Sequence, residues 1–522
     1  MGNKIVDCDL VVLGSGGAGL TAAVKAKHMG VKNVVILEAG VKTGGCTWYC
    51  GWSCSNTKWH KDAGYPDTTD EDFRRTMKRY NWNVDRKLIR NFVDSQGPMF
   101  DWFDGLCNAG EFLTKPTQYV KPAASQAGQG GGPGGGGAPG GGQGGFGMGG
   151  GMISEKEQFF MNTKSMDPSI GPGRSGSFLV VKMREQIEKM GIQVITGARA
   201  RKLIQDKSGK FAGVMAETKD GPLQVNFKAC VLATGGFGHN MEKCRKRWPE
   251  FFNGNHIHNF NVPWNQGDAL DMAEASGVLV DYLTMNLEFL GPVHHPYSFT
   301  IFKICLYNPE AVYVNLNGER YFDESQITDG PGLHSLLNQP KGQAFVIMDD
   351  EFIDIAAKRY IDANPGRESM PFRNNGLRKE IEYEAALDDA GAHGDHTKKA
   401  STFEELARKM KVDPQKFAAT MNQYNEYCEK GRDLDMFKDP KNLRPIKKAP
   451  FYAFWVQNFT NTTHNGIVIN GNMETLRADG KEPIPNLFAA GDAATAMDGG
   501  GTWAVVSGYM SGVAAAKHLG VA

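Results

Sequence analysis

Apolar runs alternate with segments of helical character at the start of the chain. Residues 11–40, VVLGSGGAGLTAAVKAKHMGVKNVVILEAG, contain a short apolar run, an Ala-rich segment and a second apolar run. The first run ends in Gly14, Gly16 and Gly19, and the second ends at Glu38. This order predicts a strand, a tight turn, a helix and a parallel strand, which together form a βαβ unit.

The spacing of the three glycines indicates what this turn binds. The first glycine permits the turn, the second lets the backbone approach a pyrophosphate, and the third lets helix and strand pack closely. The helix N-terminus offers free N–H groups to the phosphates, and Glu38 is placed to accept a hydrogen bond from a ribose hydroxyl. The segment therefore predicts a dinucleotide ligand, either FAD or NAD.

Similar patterns return further along the chain. Residues 177–206 predict a helix and a strand, and residues 209–237 predict a hairpin that leads into a buried strand. Residues 484–519 predict a strand, a Gly-rich turn and a helix of small residues, whereas residues 290–460 are more polar and mixed. We expect one nucleotide-binding domain that is interrupted by a second domain.

A segment of very low complexity interrupts the first part. Residues 126–152 consist largely of glycine, with almost no side chains that a core could bury. We expect a flexible surface insertion here, and the alternative is a loop that closes over a ligand.

Length, charge and cysteine usage narrow the class of protein. A chain of 522 residues is too long for one simple core, and its 58 basic and 58 acidic residues argue against nucleic acid as the main partner. No apolar stretch reaches the about 18–20 residues that a membrane span needs. Nine cysteines without an export signal predict reduced thiols and a cytoplasmic location.

Four motifs together resemble the signatures of a known family. They are VVLGSGGAGL with VVILEAG, GGCTWYCGW, VLATGGFGHN and NLFAAGDAA, and they occur in the family's order. The chain resembles the FAD-dependent oxidoreductases of the fumarate reductase/succinate dehydrogenase flavoprotein superfamily, which includes 3-ketosteroid dehydrogenases. The resemblance implies an α/β fold in which a Rossmann-like FAD-binding domain, residues 1–289 and 461–522, is interrupted by an α+β capping domain, residues 290–460.

The resemblance also implies which residues hold the cofactor. No histidine in a covalent-flavin context is evident, so non-covalent FAD is expected, and no metal site is expected. The cofactor-binding positions are Gly14, Gly16, Gly17, Ala18, Gly19, Glu38, Ala39, Gly44, Gly45, Cys46, Thr47, Gly51, Ala200, Thr234, Gly235, Gly236, Asp268, Gly491, Asp492, Thr502, Ala504 and Val505.

The family's chemistry is hydride transfer between flavin N5 and a C=C or CH–CH unit beside a carbonyl, with a general acid for the second carbon. The cap motifs HHPY and NGERYFDES match the family. In the family's fumarate reductases, three arginines bind and protonate a dicarboxylate, and none of them has a counterpart in this chain. Ile353 stands where the acid-catalyst arginine would follow the Asp-Asp pair, and Ser325-Gln326-Ile327 follows Glu324 without the relay arginine. The C-terminal Gly-rich turn offers Asp498 instead of the arginine that binds the substrate carboxylate. A small dicarboxylate is therefore not expected, unless Arg367 or Arg373 substitutes.

The remaining candidates for acid or positioning roles are phenols, imidazoles and one ion pair. Ordinary packing is the alternative for each tyrosine, and simple pairing with Arg320 is the alternative for Glu324. The candidate catalytic residues are His295, Arg320, Tyr321, Glu324, His464, Tyr297 and Tyr313.

These observations predict an FAD-dependent oxidoreductase acting on CH–CH groups, with an enone or ketosteroid-like substrate. The alternatives are a fumarate reductase-like or enoate reductase, an electron-transfer subunit of a larger complex, and a non-catalytic FAD-binding protein. Electrons would come from outside, through NAD(P)H, a ferredoxin, a flavodoxin or a quinone. Cys46, Cys50 and Cys54 are expected to pack as small apolar residues, and redox activity or cluster ligation is the alternative.

Overall fold

A computed structural model of the chain describes most of its residues. They are residues 4–79, 84–113, 115–116, 159–160, 175–252, 258–259, 261–285, 289–293, 308–326, 334–363, 376–392, 396–460, 463–495 and 500–521. The Gly-rich segment 126–152, His295 and Tyr297 lie outside them.

Helices and strands are numbered here in chain order. The strands are β1 Lys4–Asp7, β2 Leu10–Leu13, β3 Val34–Glu38, β4 Ser53–Cys54, β5 Phe159–Phe160, β6 Gln193–Thr196, β7 Arg199–Gln205, β8 Phe211–Thr218, β9 Gly221–Asn226, β10 Ala229–Leu232, β11 His258–Asn259, β12 Val280–Met285, β13 Phe289–Pro292, β14 Val312–Asn315, β15 Gln343–Asp349, β16 Thr397–Ala400, β17 Phe451–Thr460, β18 Thr463–Val468, β19 Glu474–Leu476, β20 Pro483–Ala489 and β21 Ala494–Thr495. The helices are α1 Gly17–His28, α2 Lys58–Asp62, α3 Thr69–Arg79, α4 Arg86–Cys107, α5 Ser175–Met190, α6 Met241–Arg247, α7 Asp268–Ala275, α8 Asp350–Ala363, α9 Leu377–Asp389, α10 Phe403–Met410, α11 Pro414–Lys430 and α12 Gly500–His518.

The chain divides into two compact units. The first unit comprises Met1–Lys243, Asn261–Met285 and Thr462–Ala522, and the second comprises Cys244–Phe260 and Asn286–Asn461. Both units mix helices and sheets, and the assignment of the second unit as a cap stays a prediction.

A six-stranded sheet with the order β19-β20-β10-β2-β3-β6 forms the centre of the first unit. Its strands from β20 to β6 are parallel, and β19 pairs antiparallel with β20 at the edge. β2, β3 and β10 are buried on both faces, as continuous apolar runs require, and α1 packs against both α5 and α12. The predicted βαβ unit is thus present as β2, α1 and β3. The predicted hairpin is β8 and β9, and it leads into β10.

Close packing of α1 on α12 depends on small residues. A Cβ added at Gly508 of α12 would lie 2.3 Å from the Ala18 carbonyl oxygen, and one added at Gly512 would lie 2.6 Å from that of Ala22. The two helix backbones therefore touch, which explains the small-residue composition of the C-terminal helix.

The second unit is built around the ten-residue strand β17. β17 pairs antiparallel with β15 on one side, and it also pairs with β11, β13 and β16, while β14 continues the sheet beyond β15. Helices α8 to α11 belong to this unit, which makes it an α+β arrangement.

Candidate functional site

The carboxyl ends of β2, β3, β10 and β20 lie along one edge of the central sheet, because these strands are parallel. This is the edge at which open α/β sheets bind ligands. The segments that follow these strands contain most of the predicted cofactor residues.

The three glycines after β2 have different reasons to be glycine. Gly14 has a φ of +100°, and a Cβ there would lie 2.3 Å from the Ala233 carbonyl oxygen. A Cβ at Gly19 would lie 2.0 Å from the Gly14 carbonyl oxygen, so both positions are required by packing. A Cβ at Gly16 would meet nothing within 4 Å, so this glycine leaves room for a group from outside the chain.

Glu38 ends β3 as a buried and oriented carboxylate. Its Oε2 accepts hydrogen bonds from the Ser15 N–H at 2.9 Å and from the Ser15 hydroxyl, and its Oε1 accepts the Gly40 N–H at 2.6 Å. A carboxylate oxygen has two lone pairs, so Oε2 is saturated by its two donors, whereas Oε1 accepts only the Gly40 N–H and can accept one further donor. Glu38 is therefore held in place for a ribose hydroxyl. The adjoining Ala39 is half-buried.

The segment after β3 folds back over the start of α1. The Gly44 N–H donates to the Ser15 carbonyl oxygen at 2.8 Å, and the Gly17 N–H donates to the Thr47 Oγ1 at 2.9 Å. Gly44 has a φ of +116° and Gly45 a φ of +50°, so both occupy left-handed conformations that favour glycine. These contacts place backbone amides of two loops side by side at the N-terminus of α1.

Cys46 extends this loop toward the residues before α7. Its sulfur accepts the Val262 N–H at 3.4 Å and lies 3.9 Å from the Asn261 Oδ1. Burial raises the pKa of the Cys46 thiol to about 11, so it is protonated at neutral pH.

The segment after β20 joins the same edge. The Gly491 N–H donates to the Ser507 hydroxyl oxygen at 2.9 Å, and the Trp503 indole donates to the Gly491 carbonyl oxygen at 3.0 Å. Burial raises the pKa of Asp492 to about 7, against the opposing effect of a backbone hydrogen bond at Gly500. Hydroxyl donors from a ligand would stabilise the ionised form of this carboxylate.

The first turn of α12 and the neighbouring loop are tightly joined. The Ser53 N–H donates to the Thr502 Oγ1 at 3.0 Å, and a Cβ at Gly501 would lie 2.2 Å from the Gly51 carbonyl oxygen. Val505 is fully buried and Ala504 is half-buried.

The loop after β10 lies beside an unsatisfied polar atom of Asn265, which precedes α7. Gly235 has a φ of +76°, and its added Cβ would lie 3.5 Å from the Asn265 Oδ1. That oxygen is buried and has no hydrogen-bond partner among the described residues. The Thr234 hydroxyl accepts the Ala269 N–H at 3.2 Å, and a Cβ at Gly236 would clash with Thr463. A ligand with hydroxyl donors would satisfy the buried amide oxygen.

Two predicted cofactor residues have other contacts in the structure. Asp268 is buried and accepts hydrogen bonds from Arg199, with distances of 3.0–3.1 Å, and from Arg201 at 3.4 Å. Ala200 is a buried residue of β7 between these arginines. A structural ion pair explains Asp268 without a ligand.

FAD fits this edge of the sheet. Gly16 leaves space beside the N-terminus of α1, where a pyrophosphate would find free N–H groups. Glu38 and Asp492 offer acceptors for sugar hydroxyls, and the Asn265 amide oxygen needs such a donor. Sequence reasoning missed Ser15, which orients Glu38, because it occupies a variable position of the glycine motif, and it missed Asn265, because that residue stands in no recognisable motif.

Arg320 and Glu324 form part of a buried ion group in the second unit. The guanidinium of Arg320 binds Glu324 at 2.7 and 2.8 Å, and it binds Asp433 at 2.7 and 3.2 Å. The Lys438 ammonium lies 3.4 Å from the Glu324 carboxylate. Burial acts to raise the pKa of Glu324, but Lys438 and Arg320 outweigh it and lower that pKa. These contacts favour the structural alternative for both residues.

For three of the other candidate catalytic residues, the structure gives the packing or the backbone position. Tyr313 is fully buried and packs edge-on against Phe322 at 5.5 Å, and the half-buried Tyr321 packs against the same ring at 4.8 Å. The backbone of His464 pairs with Thr284 between β18 and β12, in the first unit.

Two cysteines of the loop after Gly45 are packed in the interior. Cys50 and Cys54 are buried, and burial raises the pKa of Cys54 well above its usual value. Within the described ranges, no group of three or more His, Cys, Asp or Glu side chains is arranged to hold a metal ion.

None of the helices in the described part of the chain combines the length and apolar character needed to cross a membrane.

Comparisons with known proteins place the chain among flavoproteins. It is 25% identical over 503 residues to a vinyl phenol reductase of Lactiplantibacillus plantarum, covering 94% of this chain and 90% of the relative. It is 26% identical to an NADH:acrylate oxidoreductase of Vibrio harveyi, of which it spans 48%. Among solved structures, the open conformation of a flavocytochrome c3 fumarate reductase matches with a TM-score of 0.69 at 22% identity, covering 98% of this chain and 78% of that one. Residues 9–502 match the family described as FAD binding domain, and the chain therefore belongs to that family.

Proposed function

We propose that this protein is an oxidoreductase with non-covalently bound FAD that transfers hydride to or from a C=C/CH–CH unit of an uncharged, conjugated substrate. The cofactor half of the proposal is supported by family membership and by the strand-end edge described above. The substrate half is supported most directly by Ile353, because it is fully buried where the resemblance expects an arginine.

The surroundings of Ile353 have a structural explanation. Asp349, at the end of β15, accepts the Phe352 N–H at 2.9 Å and the Lys447 and Lys448 N–H groups at 3.0 Å each. Asp350 forms an ion pair with Arg378 at 2.7 Å. The Asp-Asp pair thus fixes the junction of β15 and α8, and Ile353 adds an apolar side chain to the core of the unit.

A substrate carboxylate in a dry site needs cationic partners, because burial of an unpaired charge costs several kcal/mol. An enone needs only a hydrogen-bond donor at its oxygen. An enone or ketosteroid-like compound is therefore the substrate class that we favour over fumarate or another unsaturated carboxylate.

The bound flavin supplies hydride exchange at N5. The protein has to exclude water and supply a proton to the second carbon. We assign the proton donor to the set His295, Tyr297, Tyr321 and His464, on the basis of the sequence resemblance, and the substrate-side role to the second unit. Arg320 and Glu324 have a structural role as members of the buried ion group, and Tyr313 acts by packing.

A vinyl phenol is a second candidate substrate. It is favoured by the vinyl phenol reductase, which this chain matches over 90% of that protein's length. Vinyl phenols and enones share the property that matters here, since both are uncharged alkenes conjugated to an oxygen-bearing group. An external electron donor and a cytoplasmic location complete the proposal.

The test is an anaerobic titration of the dithionite-reduced, FAD-loaded protein. Cyclohexenone, a 3-keto-4-ene steroid, 4-vinylphenol, cinnamate and fumarate are added separately, and the return of oxidised-flavin absorbance is followed. We expect the neutral alkenes to reoxidise the flavin at least about tenfold faster than fumarate, because no arginine is available at position 353. Rapid reoxidation by fumarate alone would contradict the proposal. Reoxidation by none of them, but rapid electron exchange with a ferredoxin or flavodoxin, would instead identify an electron-transfer subunit.

A further inference from the structure

Residues 261–267, NVPWNQG, form a turn that contacts three of the strand-end segments. Asn261 approaches Cys46, on the loop after β3. Asn265 approaches Gly235, on the loop after β10. Trp264 lies between them in sequence and packs against the end of β3. The turn therefore borders the dinucleotide edge along much of its length, although no motif marks it.

The contact of Trp264 with Gly40 is close. A Cβ added at Gly40 would lie 2.7 Å from the indole Nε1 and 3.0 Å from Cδ1 and Cε2. The five-membered ring of the indole therefore covers the Gly40 Cα, and only glycine leaves space for it. Gly40 is buried, whereas 39% of Trp264 remains exposed.

This contact brings the indole beside the carboxylate that we assign to the ribose. The Gly40 N–H donates to the Glu38 Oε1 at 2.6 Å, so the backbone under the indole is the same backbone that fixes Glu38. The base attached to a ribose bound at Glu38 has to lie close to this end of β3. An exposed indole at that position offers a flat surface, and bases stack readily on such side chains.

The neighbouring Asn265 supports a sugar rather than a phosphate at this turn. Its buried Oδ1 is an acceptor without a partner among the described residues, and the pyrophosphate of a dinucleotide is fully ionised at neutral pH and offers no donor. Sugar and ribityl hydroxyls can donate a hydrogen bond to this oxygen. Both side chains thus match the organic parts of a dinucleotide.

We propose that the turn 261–267 is part of the cofactor site and that Trp264 binds the adenosine half of FAD. The proposal rests on the FAD site proposed above and adds a residue that neither motif nor family resemblance assigns. Loss of the indole should weaken binding of any ligand that contains adenosine and should leave binding of the flavin half alone unchanged.

The test uses the full-length protein after removal of FAD, titrated calorimetrically with FAD, with ADP and with FMN. In Trp264→Ala, we expect the dissociation constants for FAD and ADP to rise by the same factor, about tenfold, while that for FMN stays constant. Trp264→Phe should recover part of the loss because it restores an aromatic face.

Trp102→Ala serves as the matched control. Trp102 is half-buried and packs against Lys25 and His28, at the end of α1 remote from the glycine turn, so its removal should leave all three affinities unchanged. Thermal melting of each cofactor-free variant separates lost binding from lost folding.

Equal ADP affinity in Trp264→Ala and the unsubstituted protein would overturn the proposal, as would an equal loss for FMN. If the unsubstituted protein bound neither FAD nor ADP, the FAD site itself would be wrong. Unchanged FAD binding in the Trp264 variant would remove only the role of this indole.

Discussion

At the scale of single residues, motif membership and physical role diverge most clearly at Arg320 and Glu324. Both stand in a segment that resembles a catalytic motif, yet their charges are neutralised by Asp433 and Lys438 inside one unit. The sequence could not predict this, because Asp433 is 113 residues from Arg320 and belongs to no motif. Buried ion pairs with complete hydrogen bonding fix local geometry, and the loss of one member is costly.

Glu324→Gln should therefore destabilise the protein. The change leaves two buried cations against one anion, and we expect the free energy of unfolding to fall by about 3–5 kcal/mol in urea denaturation. Glu319→Gln is the matched control, because Glu319 pairs with Lys416 while both side chains are nearly half exposed. That variant should lose less than about 1 kcal/mol. Equal stability of the two variants would refute the structural role of Glu324.

At the scale of elements, the sequence predicts those helices, strands and turns whose determining residues lie close together in the chain. The turn after β2 was predictable because glycine spacing and apolar periodicity lie within 30 residues of one another. The turn 261–267 was not predictable, because its contact with Cys46 joins positions 215 residues apart.

The short helix α2 is also stabilised by residues that are close together in sequence. Thr57 caps α2, and the His60 ring nitrogen Nδ1 accepts the Thr57 N–H at 3.3 Å in return.

This cap makes α2 sensitive to acid. The Nδ1 of His60 can accept only when it is unprotonated, and burial lowers the pKa of His60 from 6.5 to about 4. The unfolded chain therefore binds a proton before the folded protein does, and stability present above pH 6.5 is lost as the pH falls toward 4.

His60→Gln removes this titration and keeps an acceptor at the same position of the cap. We expect the stability of the unsubstituted protein to fall more steeply from pH 7 to pH 4.5 than that of the variant, by on the order of 2 kcal/mol. Thermal melts at both pH values measure the difference. Parallel pH profiles would show that His60 does not titrate in this range.

At the scale of the whole molecule, the chain combines a parallel-sheet unit with an α+β unit inserted into it. The α/β class and the meeting of the strand ends at one edge of the sheet were predictable, because parallel strands bury both faces and bring their carboxyl ends together. The roles of the candidate catalytic residues were not predictable, since they depend on contacts between segments that are distant in sequence. Cofactor binding is therefore the claim on which the rest depends.

The most direct test of that claim is the FAD dissociation constant of Gly16→Ala, measured with the melting temperature of the cofactor-free protein. Gly16 has an extended backbone conformation with a φ of −68°, and its Cβ would meet no atom of the chain within 4 Å. Alanine should therefore leave the melting temperature unchanged and weaken FAD binding at least about tenfold, because the methyl group occupies the space of the pyrophosphate. Gly19→Ala, with its 2.0 Å clash, should instead destabilise the protein itself. FAD affinity that is undiminished in Gly16→Ala would contradict the placement of the cofactor at this edge of the sheet.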